Sequence, residues 1–137
     1  MSRDVFIQAF HEGSPVFLRH ASVETLVAPY LLATREGVGS VLMADGGAEI
    51  WGYGGDGGLA IVGATGNEIW DLVVAIARAN GAAIIPVGGT PIVADASIIP
   101  DLPPEGRSAA VVVGSGAELI EALAGQEPYE PRGGRAT

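Results

Sequence analysis

The sequence predicts an α+β fold: a single-domain mixed β-sheet with about three helices packed mainly on one face. Three observations lead there. Residues 58–83 pass from an apolar run through a tight turn into an amphipathic helix that stops on glycine. Strand-like segments outnumber helical ones about two to one. A glycine-centred hairpin falls between the first two helices, which breaks the strict alternation of a doubly wound parallel sheet.

Residues 4–10 alternate, with Val5, Ile7 and Ala9 on one face and Phe6, Gln8 and Phe10 on the other. Both faces are mostly apolar, which predicts a strand inside the sheet. His11 to Pro15 form a turn cluster. Ser22 fits an N-cap, followed by Val23, Leu26, Val27, Tyr30 and Leu31 at helical spacing. Pro29 should kink or divide that helix, and Arg35-Glu36-Gly37 supply its exit. Strand-like runs 40–44 and 48–53 flank Asp45-Gly46-Gly47, a hairpin signal because glycine takes positive φ freely.

After the glycine-rich loop 54–58 comes a strand at 59–62, then a helix over 67–80. Ile69, Leu72, Val73, Ile76 and Ala77 form its buried stripe, and Glu68, Asp71 and Arg78 face solvent. Trp70 is assigned to core packing, and Asn80-Gly81 close the helix. Strands follow at 82–87, 91–94 and 109–113, with an irregular proline-rich stretch at 95–107 holding one helical turn near 96–99. Gly114-Ser115-Gly116 start a last helix over 117–124. The domain spans 1–124, and 125–137 has the composition of a flexible C-terminal tail.

Composition narrows function by exclusion. The chain has 137 residues, 48% of them hydrophobic and 17% charged, the balance of a globule. No run approaches the length of a membrane span, and the start lacks a basic region followed by an apolar plug, so a cytoplasmic location is expected. With no cysteine there is neither a disulfide nor a thiolate. The net charge is −9, which repels phosphate backbones and anionic membranes and steers the chain toward a basic partner. The same charge also serves solubility alone. All seven basic residues are arginine, so a P-loop lysine is ruled out.

Gly63-Ala64-Thr65-Gly66 resembles the glycine turn of a Rossmann dinucleotide site. However, Glu68 stands in the first helical turn, where its charge opposes a phosphate, and no acidic ribose ligand ends the strand at 82–87. The turn therefore reads as a bend built from small residues, and no cofactor is expected. His11 and His20 lack the paired spacing of a metal helix, and no loop has the alternating acids of an EF-hand, so no metal site is expected. Ser115 lies in no G-x-S-x-G context and reads as a helix cap; no catalytic residue is expected.

The hairpin carries the candidate site. Glu49, Trp51 and Tyr53 alternate and so should share one face, opposite Ala48, Ile50 and Gly52. With Asp45 and Asp56 flanking them, these five residues read as an aromatic patch ringed by carboxylates, suited to a basic protein. The competing reading puts Trp51 and Tyr53 in the core and the small residues in water.

The chain also resembles a group of small, acidic, uncharacterised bacterial α+β proteins. The likeness rests on Asp4-Val5-Phe6-Ile7-Gln8, the hairpin Asp45-Gly46-Gly47-Ala48-Glu49, Ile69-Trp70-Asp71-Leu72, Ile85-Pro86-Val87-Gly88 and the run 112–119, across residues 3–124. Some of these proteins resemble immunity proteins of polymorphic toxin systems, which are typically small, acidic, cytoplasmic and non-enzymatic. The resemblance implies inhibition by binding and brings no active-site motif. The expectation is thus a non-enzymatic protein-binding domain with a toxin-like basic partner, its oligomeric state open. The alternative is an anion- or nucleotide-binding protein or enzyme using loops 54–58 and 63–66.

Overall fold

The computed structural model describes residues 4–55 and 57–126. The strands are β1 (Val5–His11), β2 (Ser14–Val16), β3 (Leu31–Arg35), β4 (Val38–Met43), β5 (Gly46–Trp51), β6 (Leu59–Thr65), β7 (Ala82–Pro86), β8 (Ile92–Val93) and β9 (Val111–Val112). The helices are α1 (His20–Val27), α2 (Glu68–Asn80), α3 (Pro104–Arg107) and α4 (Gly116–Gly125), with 3₁₀ segments at Ala28–Tyr30 and Ala96–Asp101.

All nine described strands join one sheet in the order β3-β4-β5-β6-β1-β7-β8-β9, with β2 folded back on the end of β1. The pairs are antiparallel except β8 with β9, so the sheet is mixed and the class is α+β. The alternation in β1 places it inside the sheet, between β6 and β7. Val5, Ile7 and Ala9 point to the same core as Ile50, Ile61 and Ile84 of neighbouring strands. Against them packs the expected stripe of α2, Ile69, Leu72, Val73, Ile76 and Ala77, together with Trp70. Val23 and Val27 of α1 and Leu119 and Leu123 of α4 complete that layer. The three helices of eight residues or more therefore cover one face.

The opposite face is covered only in part. Ile98, Ile99 and Leu102 lie over Ala83, Ile85, Val93 and Phe10, which closes the β7–β8 side and one end of β1. Nothing among the described residues covers the rest. Phe6 is 48% exposed, so β1, although inside the sheet, is open on this face at Phe6 and partly covered at Phe10.

Two helical expectations are corrected. α1 begins at His20 and not after Ser22, and it has no side-chain cap. It ends at Val27; Pro29 sits in the 3₁₀ turn, and Leu31–Arg35 leave as a strand. The apolar spacing at 26, 27, 30 and 31 imitates a helix, but proline withdraws an amide from the ladder and the chain straightens. Arg35-Glu36-Gly37 is accordingly no helix exit. Glu36 (φ 49°) and Gly37 (φ 82°) form a two-residue hairpin turn, whose twist matches that of the strands it joins.

At the C-terminal side, the strand expected over 109–113 shrinks to the two-residue edge strand β9 with both side chains exposed. Ser115 caps α4 as expected, accepting the Glu118 amide at 3.2 Å. α4 extends to Gly125, past the expected domain boundary; the remainder of the expected tail, from residue 127, lies outside the described residues.

Candidate functional site

Strand register builds a row across the uncovered face. Arg35 opposes Val38, Val38 opposes Trp51, Trp51 opposes Ala60, Ala60 opposes Phe6, and Phe6 opposes Ile85. Directly opposed residues share a face, so these six side chains lie in line from β3 to β7. A second row beside it holds Ala33, Ser40, Glu49 and Val62. Trp51 is 50% exposed, and Leu42 of β4 on the same face is 57% exposed. Several large apolar side chains this open on one sheet face mark an interaction surface more often than single scattered ones do.

Trp51 and Glu49 are brought together as expected. The indole N–H of Trp51 donates to Oε1 of Glu49 at 3.1 Å, which holds the ring beside the carboxylate. Trp51 borders two hollows. A shallow trough of about 500 Å³ is lined by Phe6, Gln8, Gly58, Ala60 and Ile85. A groove of about 940 Å³ lies on the hairpin side, between Arg35, Glu36, Ser40 and Glu49.

Tyr53 does not share this face, which corrects the expected aromatic pair. β5 ends at Trp51, and Gly52 adopts φ 87°, a turn that breaks the alternation. The amides of Gly52 and Tyr53 both donate to the Gly37 carbonyl, at 2.8 and 3.0 Å. The Tyr53 ring thereby swings to the helix side, where it packs against the core and meets the His20 ring edge-on at 6.3 Å. Gly39 leaves room for it: a Cβ there would stand 3.2 Å from the Tyr53 ring. Burial, and then the nearby Glu24 carboxylate, raise the Tyr53 phenol above its usual 10.0. Each competing reading of the hairpin is thus right for one residue: Trp51 faces out and Tyr53 faces in.

Asp45 has a structural position. Its carboxylate accepts the amide of Asn67 at 2.7 Å and that of Glu68 at 3.3 Å, at the start of α2. The amides that an anion would seek at this helix start are therefore bonded to the chain's own acid. The 63–66 bend is also engaged: β6 runs on through Thr65, the Gly63 amide donates to Asp4 at 3.2 Å, and the Thr65 hydroxyl accepts the Gly47 amide at 3.1 Å. Asp56, the fifth residue of the expected patch, lies outside the described residues.

Phe6, Leu42, Ala60, Ile85, Arg35 and Glu36 belong to this face and escape sequence reading. Alternation in β1 separates Phe6 from the core side, but only strand order shows that β6 lies next to it and β5 one strand further on, on a stretch of the face that nothing among the described residues covers. Among the described residues no group of three His, Asp or Glu is placed to hold a metal, and no helix is long and apolar enough to cross a membrane. His20 and Glu24 form an i,i+4 pair at 3.3 Å on the opposite, helix side. Comparison of the chain with protein-family models, with curated proteins and with solved structures finds no match.

Proposed function

We propose that this protein is a non-enzymatic, cytoplasmic protein-binding domain, an immunity-like inhibitor that docks a basic, toxin-like partner on the uncovered sheet face. The observation that carries the reading is the half-exposed pair Trp51 and Phe6, set in one row with Ala60 between them on the part of the sheet face that nothing among the described residues covers. Aromatic side chains dominate the energetics of protein contacts. The net charge of −9 adds long-range steering toward a cationic surface and opposes nucleic acid and anionic membranes.

The test titrates wild-type protein and the double variant Trp51→Ala, Phe6→Ala against basic proteins encoded by adjacent genes, by calorimetry at two salt concentrations. The expected result is a complex that weakens with salt and is lost in the double variant. A complex that forms equally well with the variant, or no complex with any of them, refutes the reading. Anion or nucleotide binding at loops 54–58 and 63–66 is the weaker alternative, because Asp45 already holds the amides at the start of α2.

A further inference from the structure

Trp51 stands as a wall between two hollows of different chemistry. On the β6 side lies the trough, floored by Ala60 and bounded by Trp51 and Phe6. On the β4 side lies the groove, whose charged walls are Glu36, Glu49 and Arg35, two acids to one base. Arg35 sits two strands from Trp51, beside the hairpin tip, whereas Glu49 is bonded to the indole itself. One Glu49 oxygen accepts that indole N–H, and the carboxylate is exposed, with lone pairs left for a second donor.

From this geometry, and resting on the docking reading above, we infer that the partner presents an apolar residue and an arginine on one extended segment. The apolar side chain seats in the trough over Ala60, and the guanidinium enters the groove against Trp51 and Glu49. Arginine suits the site better than lysine, because its flat fork stacks on an indole and donates to a carboxylate together. The spacing agrees. Ala60 and Val38 flank Trp51 on neighbouring strands, which sets the hollows about 10 Å apart. Side chains two residues apart on an extended segment are separated by about 7 Å, and the reach of arginine covers the rest.

The test uses two capped tripeptides, Leu-Thr-Arg and Leu-Thr-Gln, titrated into ¹⁵N-labelled protein. The expected result is that both move the Phe6 and Ala60 amides, that only Leu-Thr-Arg moves the Ser40 and Glu49 amides of the groove, and that it binds about threefold more tightly. Glu49→Gln should reduce the difference between the peptides, and Ala60→Phe, which fills the trough on the open face, should abolish both titrations with the amide spectrum otherwise kept. Equal affinities with shifts at Phe6 and Ala60 alone overturn the arginine assignment and leave the docking face standing. Absence of any shift on this face overturns both.

Discussion

The Asp45 carboxylate accepts the Asn67 amide at 2.7 Å, so an acid in the β4–β5 turn closes the start of a helix 22 residues further on. Asn67, at the cap position itself, makes no side-chain cap bond. The turn and α2 are thereby tied to each other. Asp45→Ala should lower stability by about 1 kcal/mol, the usual worth of a lost N-terminal cap, and Asp45→Asn should retain part of it. Urea unfolding checks both, read as a fall in the midpoint with the slope unchanged.

The two tryptophans should behave as opposites. Trp70 is 5% exposed and packs in the main core, and its replacement by Ala should cost about 3–5 kcal/mol. Trp51→Ala, on the bare face, should stay within about 0.5 kcal/mol of wild type. Acrylamide should quench Trp51 readily and Trp70 hardly at all, so the Trp51→Ala protein should lose most of the quenchable emission.

Gly52 decides which way Tyr53 points. At φ 87° a side chain is strained, and a Cβ would stand 2.7 Å from the Gly58 carbonyl oxygen. Gly52→Ala should destabilise by more than about 1 kcal/mol and weaken the contact between the Tyr53 and His20 rings. Unfolding curves give the first effect, and ring-to-ring nuclear Overhauser effects the second.

Two groups give pH dependence of opposite sign. The Ser97 amide, bonded to Asp95 at 2.9 Å, holds that carboxyl below its usual 3.8. Its folded pKa lies below the unfolded one, so the stability it contributes is present above 3.8 and is lost as pH falls through the folded value. The stability gap between wild type and Asp95→Ala should therefore hold at neutral pH and shrink as pH falls below 3.8. Tyr53 titrates the other way. Its folded pKa is raised above 10.0, so its contribution is present below pH 10.0 and is lost as pH rises through the folded value. Wild type should therefore lose stability relative to Tyr53→Phe only above pH 10.0, as followed by denaturation at alkaline pH.

The sequence carries the core more plainly than the site. The period of α2 and the alternation of β1 name buried residues directly, because burial on one side imposes a repeat. β3 escapes because Leu26, Val27, Tyr30 and Leu31 satisfy a helical repeat across Pro29, whose effect depends on the strand beyond it. Of the candidate residues, Glu49 and Trp51 follow from simple alternation and are found together. Tyr53 escapes because one positive φ at Gly52 reverses its side. Asp45 is visible as an acid in a turn, but its bond to Asn67 depends on tertiary contact that no local pattern encodes. Phe6 and Ile85 join the row through strand order alone.

Hydrogen–deuterium exchange on a complex with a basic partner, backed by the emission of Trp51, tests docking on the bare sheet face most directly. Protection concentrated on β4, β5, β6 and the Phe6 end of β1, with a blue shift that vanishes in Trp51→Ala, is the predicted result. Protection confined to α1, α2 and α4, with Trp51 still open to acrylamide, would contradict it.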